Sequence, residues 1–157
     1  NREQALNILD LKNQPQWYVG DSNKVLDDKF NTNFDLVFTC PPYTDLEIYS
    51  DLEDDISNME YHDFLVAYTS IIKKSCDKLK KGGYACFVVS EVRNKKGNYI
   101  GLVPDTIEAF KGCGMNYYNE CIYLNGLAGA CLTAGRVMGI SKKVKKVHQN
   151  VLIFKKP

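Results

Sequence analysis

Apolar positions follow two spacings that alternate along the chain. Apolar residues three or four positions apart predict amphipathic helices over residues 2–12, 61–79 and 104–111, with Pro15 ending the first and Gly82-Gly83 the second. Continuous apolar runs predict strands at residues 17–19, 35–40, 84–89, 117–124 and 147–154. The run at 35–40 has the composition of a strand buried on both faces. Asp21 or Ser22 is expected to cap a short helix through Val25 and Leu26.

The order of these elements predicts an α/β fold. Alternating strands and helices favour a Rossmann-like, mostly parallel sheet with helices on both faces. The last two strands have no helix between them and predict an antiparallel pair at one edge. Residues 125–146 contain four glycines and are predicted to be a long loop. Because ligands bind outside the carboxyl ends of strands in such sheets, we expect the site at residues 20–22, 39–43 and 90–91.

Composition indicates a single domain spanning residues 1–157, with 45% hydrophobic and 25% charged side chains. No apolar run reaches about 18 residues, so we expect no membrane span. The opening residues do not have the pattern of a signal peptide. Six scattered cysteines show no metal-ligand spacing, which predicts no metal site and a reduced, cytoplasmic compartment. The net charge of +1 excludes a strongly basic nucleic-acid binder.

Charge is nevertheless unevenly distributed. Residues 44–63 contain eight acids and no Lys or Arg, and no acid follows Glu120. The basic segment that follows contains Arg136, Lys142, Lys143, Lys145 and Lys146. Two interpretations remain open: both segments are simply solvated, or the basic segment faces a polyanion. For Glu91 the alternatives are a position in the pocket and an ion pair with Arg93.

The segment Cys40-Pro41-Pro42-Tyr43 directly follows the strand predicted at 35–40. Two consecutive prolines remove two N–H donors and restrict the backbone, which leaves a stiff row of carbonyl acceptors. Such a row can hold the amino group of a planar substrate, on which Tyr43 could stack. The alternative is that the two prolines only end the strand.

The run from Phe34 to Tyr43 resembles the catalytic motif of S-adenosylmethionine-dependent DNA amino-methyltransferases, whose pattern is (Asp/Asn/Ser)-Pro-Pro-(Tyr/Phe). The segments 17–22 and 79–84 resemble a cofactor-side strand and an L-K-x-G-G turn of that family. The segments 92–99 and 147–154 resemble a subgroup of phage- and ParB-associated DNA methylases. The resemblance covers nearly the whole chain and implies the seven-stranded class I methyltransferase sheet.

The resemblance implies transfer of a methyl group from S-adenosylmethionine to the exocyclic amine of adenine or cytosine in double-stranded DNA, on a flipped base. It assigns catalysis to Cys40, Pro41, Pro42 and Tyr43. It assigns cofactor binding to Asp21, Ser22, Thr39 and Cys40, with Asp21 on the cofactor adenine. The five cations of the basic segment would then contact DNA, with Arg136 also a candidate for a base edge.

The sequence departs from the family pattern in two places. No Gly-rich cofactor loop or strand-end acid precedes Trp17, so we expect an N-terminally incomplete sheet whose cofactor site is completed by a further segment or a second chain. Cys40 replaces the usual Asp, Asn or Ser, which leaves the target base open and allows Cys40 to be a nucleophile or an inert buried thiol. Two further hypotheses are an N-methyltransferase acting on RNA or protein glutamine, and a catalytically silent DNA-binding or assembly module.

Overall fold

The computed structural model describes residues 15–30, 34–43, 49–52, 55–126 and 130–157, together with Glu3 and Asn7. The α-helices within these ranges are α1 (Ser22–Lys29), α2 (Tyr61–Lys78), α3 (Leu102–Gly112) and α4 (Ala130–Ser141), and Ile56–Asn58 forms a short 3-10 helix. The strands are β1 (Phe34–Thr39), β2 (Leu79–Val89), β3 (Asn116–Leu124) and β4 (His148–Lys155). Of the helix predicted over residues 2–12, only Glu3 and Asn7 are described, and both are helical.

The strands form one mixed sheet in the order β1-β2-β4-β3. β1 runs parallel to β2, with Thr39 opposite Phe87, and β4 runs antiparallel to both β2 and β3. The α/β class and the antiparallel edge pair are therefore confirmed. Within the described residues the sheet is mixed rather than mostly parallel as predicted, because two of its three strand pairings are antiparallel. Because β4 is antiparallel to β2, its first residues lie beside the carboxyl end of β2. The ends of β1 and β2 and the start of β4 thus lie at the same end of the sheet.

The core lies on one face of this sheet. Phe64, Tyr68 and Ile72 of α2 and Phe110 of α3 are buried against alternate residues of the central strands. Those strand residues are Ala85, Phe87, Val89, Leu152 and Phe154. The spacing of the buried α2 residues is the helical periodicity that predicted this helix.

The expectation that β1 is buried on both faces is wrong. Leu36 and Phe38 are 53% and 64% exposed, whereas Val37, between them in the sequence, packs against the core. Successive strand side chains point to opposite faces, and the core occupies only the Val37 face. An apolar run shows that a strand contains hydrophobic residues, but it does not show whether a helix covers each face of that strand. In the described ranges, α2 and α3 pack on this one face.

The segment 17–19 is not a strand, contrary to expectation. No described strand pairs with it, and the Val19 side chain is fully exposed. Tyr18 instead places its ring edge-on against Phe30, with centroids 5.1 Å apart, and donates a hydrogen bond to Gln16. Residues that favour strands form one only when a partner strand satisfies their backbone groups.

Gly82-Gly83 does not end α2, which stops at Lys78, and both glycines lie within β2. Strand pairing begins directly after the helix: Leu79, the first residue of β2, is buried and lies opposite Phe34 of β1. Lys156 satisfies the end of the helix by donating hydrogen bonds to the carbonyl oxygens of Cys76 and Leu79, at 2.8 and 2.7 Å. A cation distant in sequence therefore takes the role that the sequence assigned to glycine.

Gly83 permits the close approach of β1 and β2. A Cβ at this position would lie 2.9 Å from the Lys80 carbonyl oxygen and 3.2 Å from those of Asp35 and Phe34. Because these are backbone atoms, we expect Gly83→Ala to lower the free energy of unfolding by about 1–3 kcal/mol. Chemical denaturation of the full-length protein measures this loss.

Gly112→Ala is the matched control for Gly83→Ala, because the added Cβ would meet no atom within 4 Å other than the adjoining residues and backbone of its own helix. An equal effect of the two substitutions would contradict the steric explanation.

Residues 130–141 form α4, so the prediction of a loop over 125–146 is wrong for that part. Gly135 and Gly139 disfavour a helix, and the apolar residues Leu132 and Ile140 are exposed rather than arranged on a buried face. The pattern that reveals an amphipathic helix is therefore missing. No helix in the described ranges is long and apolar enough to cross a membrane.

Candidate active site

Two of the three turns predicted to form the site meet at two adjoining cavities. The first, the Asp21 cavity, has a volume of about 640 Å³ and is lined by residues 19–22, Pro42, Asp55 and other side chains. The second, the Pro41 cavity, has a volume of about 420 Å³ and is lined by Thr39, Pro41 and other side chains. Ser22 and Pro42 line both cavities. Parallel pairing with β2 places Thr39, the last residue of β1, beside the core residue Phe87.

Asp21 caps α1, as its position before the helix predicted. Its carboxylate accepts a hydrogen bond of 2.9 Å from the backbone N–H of Asn23, and its other oxygen lies 3.9 Å from Lys24 Nζ. The cap fixes the carboxylate at the start of the helix, where it also lines the Asp21 cavity.

Asp55 supplies a second carboxylate to the Asp21 cavity. It accepts hydrogen bonds from the backbone N–H and hydroxyl of Ser57, at 2.9 and 2.7 Å, and from the hydroxyl of Ser50, at 2.8 Å. The bond from the Ser57 N–H contributes most to lowering the pKa of Asp55 below its usual value of 3.8. This carboxylate is therefore ionised at neutral pH.

Cys40, Pro41 and Pro42 follow the last residue of β1. The side chain of Cys40 is exposed, so the interpretation of Cys40 as an inert buried thiol is wrong. Pro41 and Pro42 carry no backbone N–H, and both line the Pro41 cavity. The tip of β1 therefore presents backbone acceptors without two of the donors that an ordinary strand end would have.

Tyr43 connects this segment to the neighbouring strand. Its side chain is half-buried against the core, and its hydroxyl donates a hydrogen bond of 3.4 Å to the carbonyl oxygen of Val88 in β2. The segment 40–43 is thus held at both ends, by β1 before it and by β2 after it.

The third predicted turn lies on the other side of Tyr43. Glu91 accepts hydrogen bonds from the backbone N–H groups of Gly101 and Val103, at 3.2 and 3.0 Å, and so caps α3 from a distance. It lines a third cavity rather than the first two. Of the two interpretations of Glu91, the ion pair with Arg93 does not form, since Arg93 lies over the Tyr99 ring, 3.8 Å from its centroid.

This third cavity, the basic cavity, has a volume of about 750 Å³. It brings together four of the five predicted DNA-binding cations: Lys142, Lys143, Lys145 and Lys146. Arg136 lies on the exposed helix α4 and does not line the cavity. Burial lowers the pKa of Lys146, while nearby Glu91 acts in the opposite direction. Arg93 and Tyr99 were not among the predicted site residues. The available signal was the spacing of six positions between an arginine and an aromatic residue, with Gly97 between them, which is compatible with a small hairpin.

Comparison with protein families identifies the relatives of this chain. The N6/N4 DNA methylase model, whose description is DNA methylase, matches residues 34–157. The chain belongs to the N6/N4 DNA methylase family. The match begins at the first residue of β1 and includes the Pro-Pro-Tyr segment and the basic cavity. No curated protein sequence gives a match.

Solved structures share the fold of this N6/N4 methylase chain. A protein named as a DNA modification methylase from Thermus thermophilus, solved with S-adenosyl-L-methionine, matches with a TM-score of 0.64 and 22% identity over 88% of this chain and 52% of its own. The PvuII DNA methyltransferase, cytosine-N4-specific, matches with a TM-score of 0.65 and 22% identity over 89% of this chain and 48% of its own. The chain therefore spans about half the length of these proteins.

Proposed function

We propose that the full-length protein transfers the methyl group of S-adenosylmethionine to the exocyclic amine of adenine or cytosine in double-stranded DNA. The observation that carries this proposal is the donor-free Pro41-Pro42 segment beside two cavities, in a chain of the N6/N4 DNA methylase family. We also propose that the protein acts in the cytoplasm, in a phage or restriction-modification setting.

The Asp21 and Pro41 cavities suit the cofactor. Asp21 is proposed to contact the cofactor adenine, and the carboxylate of Asp55 adds negative charge to the same cavity, which suits a cofactor that carries a sulfonium cation. The volume of this cavity is typical of small-molecule sites. Asp21, Ser22, Thr39 and Cys40 are the residues proposed to hold it. When bound, the cofactor supplies the methyl group. Because the chain spans about half the length of similar structures, further sequence or a second chain is proposed to complete this site.

The Pro-Pro-Tyr segment suits the amine. The carbonyl oxygens near Cys40 and Pro41 would accept hydrogen bonds from the amino group, which draws its lone pair out of conjugation with the ring. The segment acts by orienting the amine and needs no strong general base before attack. Tyr43 is proposed to stack on the base, and the cations of the basic segment (Arg136, Lys142, Lys143, Lys145 and Lys146) are proposed to contact DNA phosphates.

The test is a methyl-transfer assay of the full-length protein with labelled S-adenosylmethionine. Duplex DNA, RNA of the same sequence and a protein extract serve as parallel substrates, and mass spectrometry of the digested nucleosides identifies the product. Labelled N6-methyladenine or N4-methylcytosine from DNA is the expected result. Labelling of RNA or protein glutamine instead would overturn the proposed substrate. DNA binding without any labelled product would favour a catalytically silent module.

Tyr43→Ala is expected to lower kcat/KM for DNA about tenfold to a hundredfold, because stacking of one base contributes about 1–3 kcal/mol. Tyr43→Phe keeps the ring and removes the hydroxyl, which donates the 3.4 Å hydrogen bond to Val88, so it should retain most activity. Steady-state kinetics at varied DNA concentration measures both variants. Equal losses in the two variants would show that the hydroxyl, rather than the ring, matters.

A further inference from the structure

The basic cavity lies at the same end of the sheet as the Pro-Pro-Tyr segment. Tyr43 bonds to Val88 near the end of β2, and the cavity begins two residues beyond that strand, at Glu91. Its other wall is residues 142–148, which lead into β4. The proposed base site therefore has the carboxylate-lined Asp21 cavity on one side and a strongly cationic cleft on the other.

The charge of this cleft is poorly compensated within the described ranges. Glu91 is the lining acid, and its two oxygens already accept hydrogen bonds from backbone N–H groups of α3. No described carboxylate forms an ion pair with the following lining cations: Arg93, Lys142, Lys143 and Lys146. Lys146 is partly desolvated, with Asn150 Oδ1 at 3.3 Å. A cleft of this kind lowers its electrostatic free energy by taking up an anion.

Arg93 is held in a fixed orientation in this cleft. The hairpin that carries it is closed by hydrogen bonds between Asn94 and Asn98 and by a bridge from Arg93 to Tyr99. The guanidinium lies on the Tyr99 ring and donates one hydrogen bond, of 2.8 Å, to the carbonyl oxygen of Gly97. A guanidinium has five N–H donors, so donors remain for an anion, and the flat orientation suits bidentate contact with a phosphate.

We propose that Arg93 and the lysines opposite it grip the phosphodiester backbone of the DNA strand next to the target base, with Tyr99 as the residue that positions Arg93. This inference rests on the proposed function and adds a second wall to the DNA interface. A volume of about 750 Å³ exceeds what one phosphate needs and suits a nucleotide-sized segment of the strand. These contacts recognise the charge of the phosphate backbone and do not distinguish one base sequence from another.

The test measures binding of the full-length protein to fluorescent duplex DNA across a range of salt concentrations. Arg93→Ala should raise Kd about tenfold to a hundredfold, as expected for loss of a hydrogen bond to a charged group. It should also reduce the slope of log K against log salt by about 1, equally for specific and unrelated sequences. Tyr99→Leu should raise Kd for DNA, whereas Tyr99→Phe, which keeps the ring under the guanidinium, should have the Kd of the wild type.

Lys111→Ala is the control for net charge. Lys111 pairs with Glu108 near the end of α3 that lies away from the cavity, so the salt slope should not change. S-adenosylmethionine binding by calorimetry should be unchanged in Arg93→Ala. An unaltered Kd and slope in Arg93→Ala, with DNA still methylated by the wild type, overturns this inference alone. Failure of the wild type to methylate DNA overturns the proposed function, and a preference for RNA overturns the identity of the bound strand.

Discussion

Under the proposed function, Pro42→Ala in the full-length protein is expected to lower kcat for DNA methylation by about a hundredfold. The substitution adds a backbone N–H to a row of acceptors and releases the restriction that Pro42 places on Pro41. Pro42 lines both cavities proposed for the cofactor and also belongs to the segment proposed to hold the amine, so it contacts both proposed sites. A displacement of about 1 Å between reacting groups is enough for such a loss. Single-turnover methylation of duplex DNA measures the rate of the chemical step directly.

Pro104→Ala is the matched control for this experiment. Pro104 lies in the first turn of α3, where its missing N–H would have no helical partner, so a rate close to that of the wild type is expected. Thermal unfolding of both variants separates loss of the site from loss of the fold. A Pro42→Ala protein that melts normally and keeps full kcat would show that the two prolines only end β1.

Periodicity predicted the elements that bury one face. The helices α2 and α3 lie within two residues of their predicted bounds, because burial of one helix face requires apolar side chains to recur at fixed spacing. Apolar runs also place β3 and β4 within one residue, although every residue of β3 is exposed, and β2 begins five residues before its predicted start. Two of the three predicted turns, 20–22 and 39–43, line common cavities, although the strand at 17–19 from which the first turn was predicted does not form, and Glu91 of the third turn lines a different cavity. The role of Asp21 as a cap followed from local backbone chemistry.

Features that depend on distant partners could not be predicted. Trp17 and its neighbours have strand composition but no described partner strand, and β1 has the composition of a strand covered on both sides but is exposed at Phe38. The helix α4 buries no described side chain, so it left no periodic pattern. The contacts of Glu91 with α3 and of Lys156 with α2 cross 10 or more residues of sequence, and no local rule connects such groups.

Phe110→Ala should lower the free energy of unfolding by about 3–5 kcal/mol. Phe110 of α3 is fully buried, stacks on Phe154 with ring centroids 4.0 Å apart, and meets Phe87 edge-on at 4.8 Å. Removing it leaves a cavity between α3 and the two central strands, and aromatic pairing is lost as well. Because the total stability of a domain is about 5–15 kcal/mol, the variant will be near the limit of folding. Urea denaturation at low temperature measures the change.

Val66→Ala is the control for Phe110→Ala, because Val66 of α2 is 62% exposed and its truncation should change stability by less than about 0.5 kcal/mol. Phe110→Leu fills most of the volume of the original side chain, so its loss of stability should lie between those of Phe110→Ala and Val66→Ala. Phe87, which contacts Phe110, also lines the Pro41 cavity. The folded fraction of Phe110→Ala should therefore show altered binding of S-adenosylmethionine, for which this cavity is proposed. DNA binding at the basic cavity should then be retained. A loss below about 1 kcal/mol in Phe110→Ala would contradict the packing of α3 on the sheet.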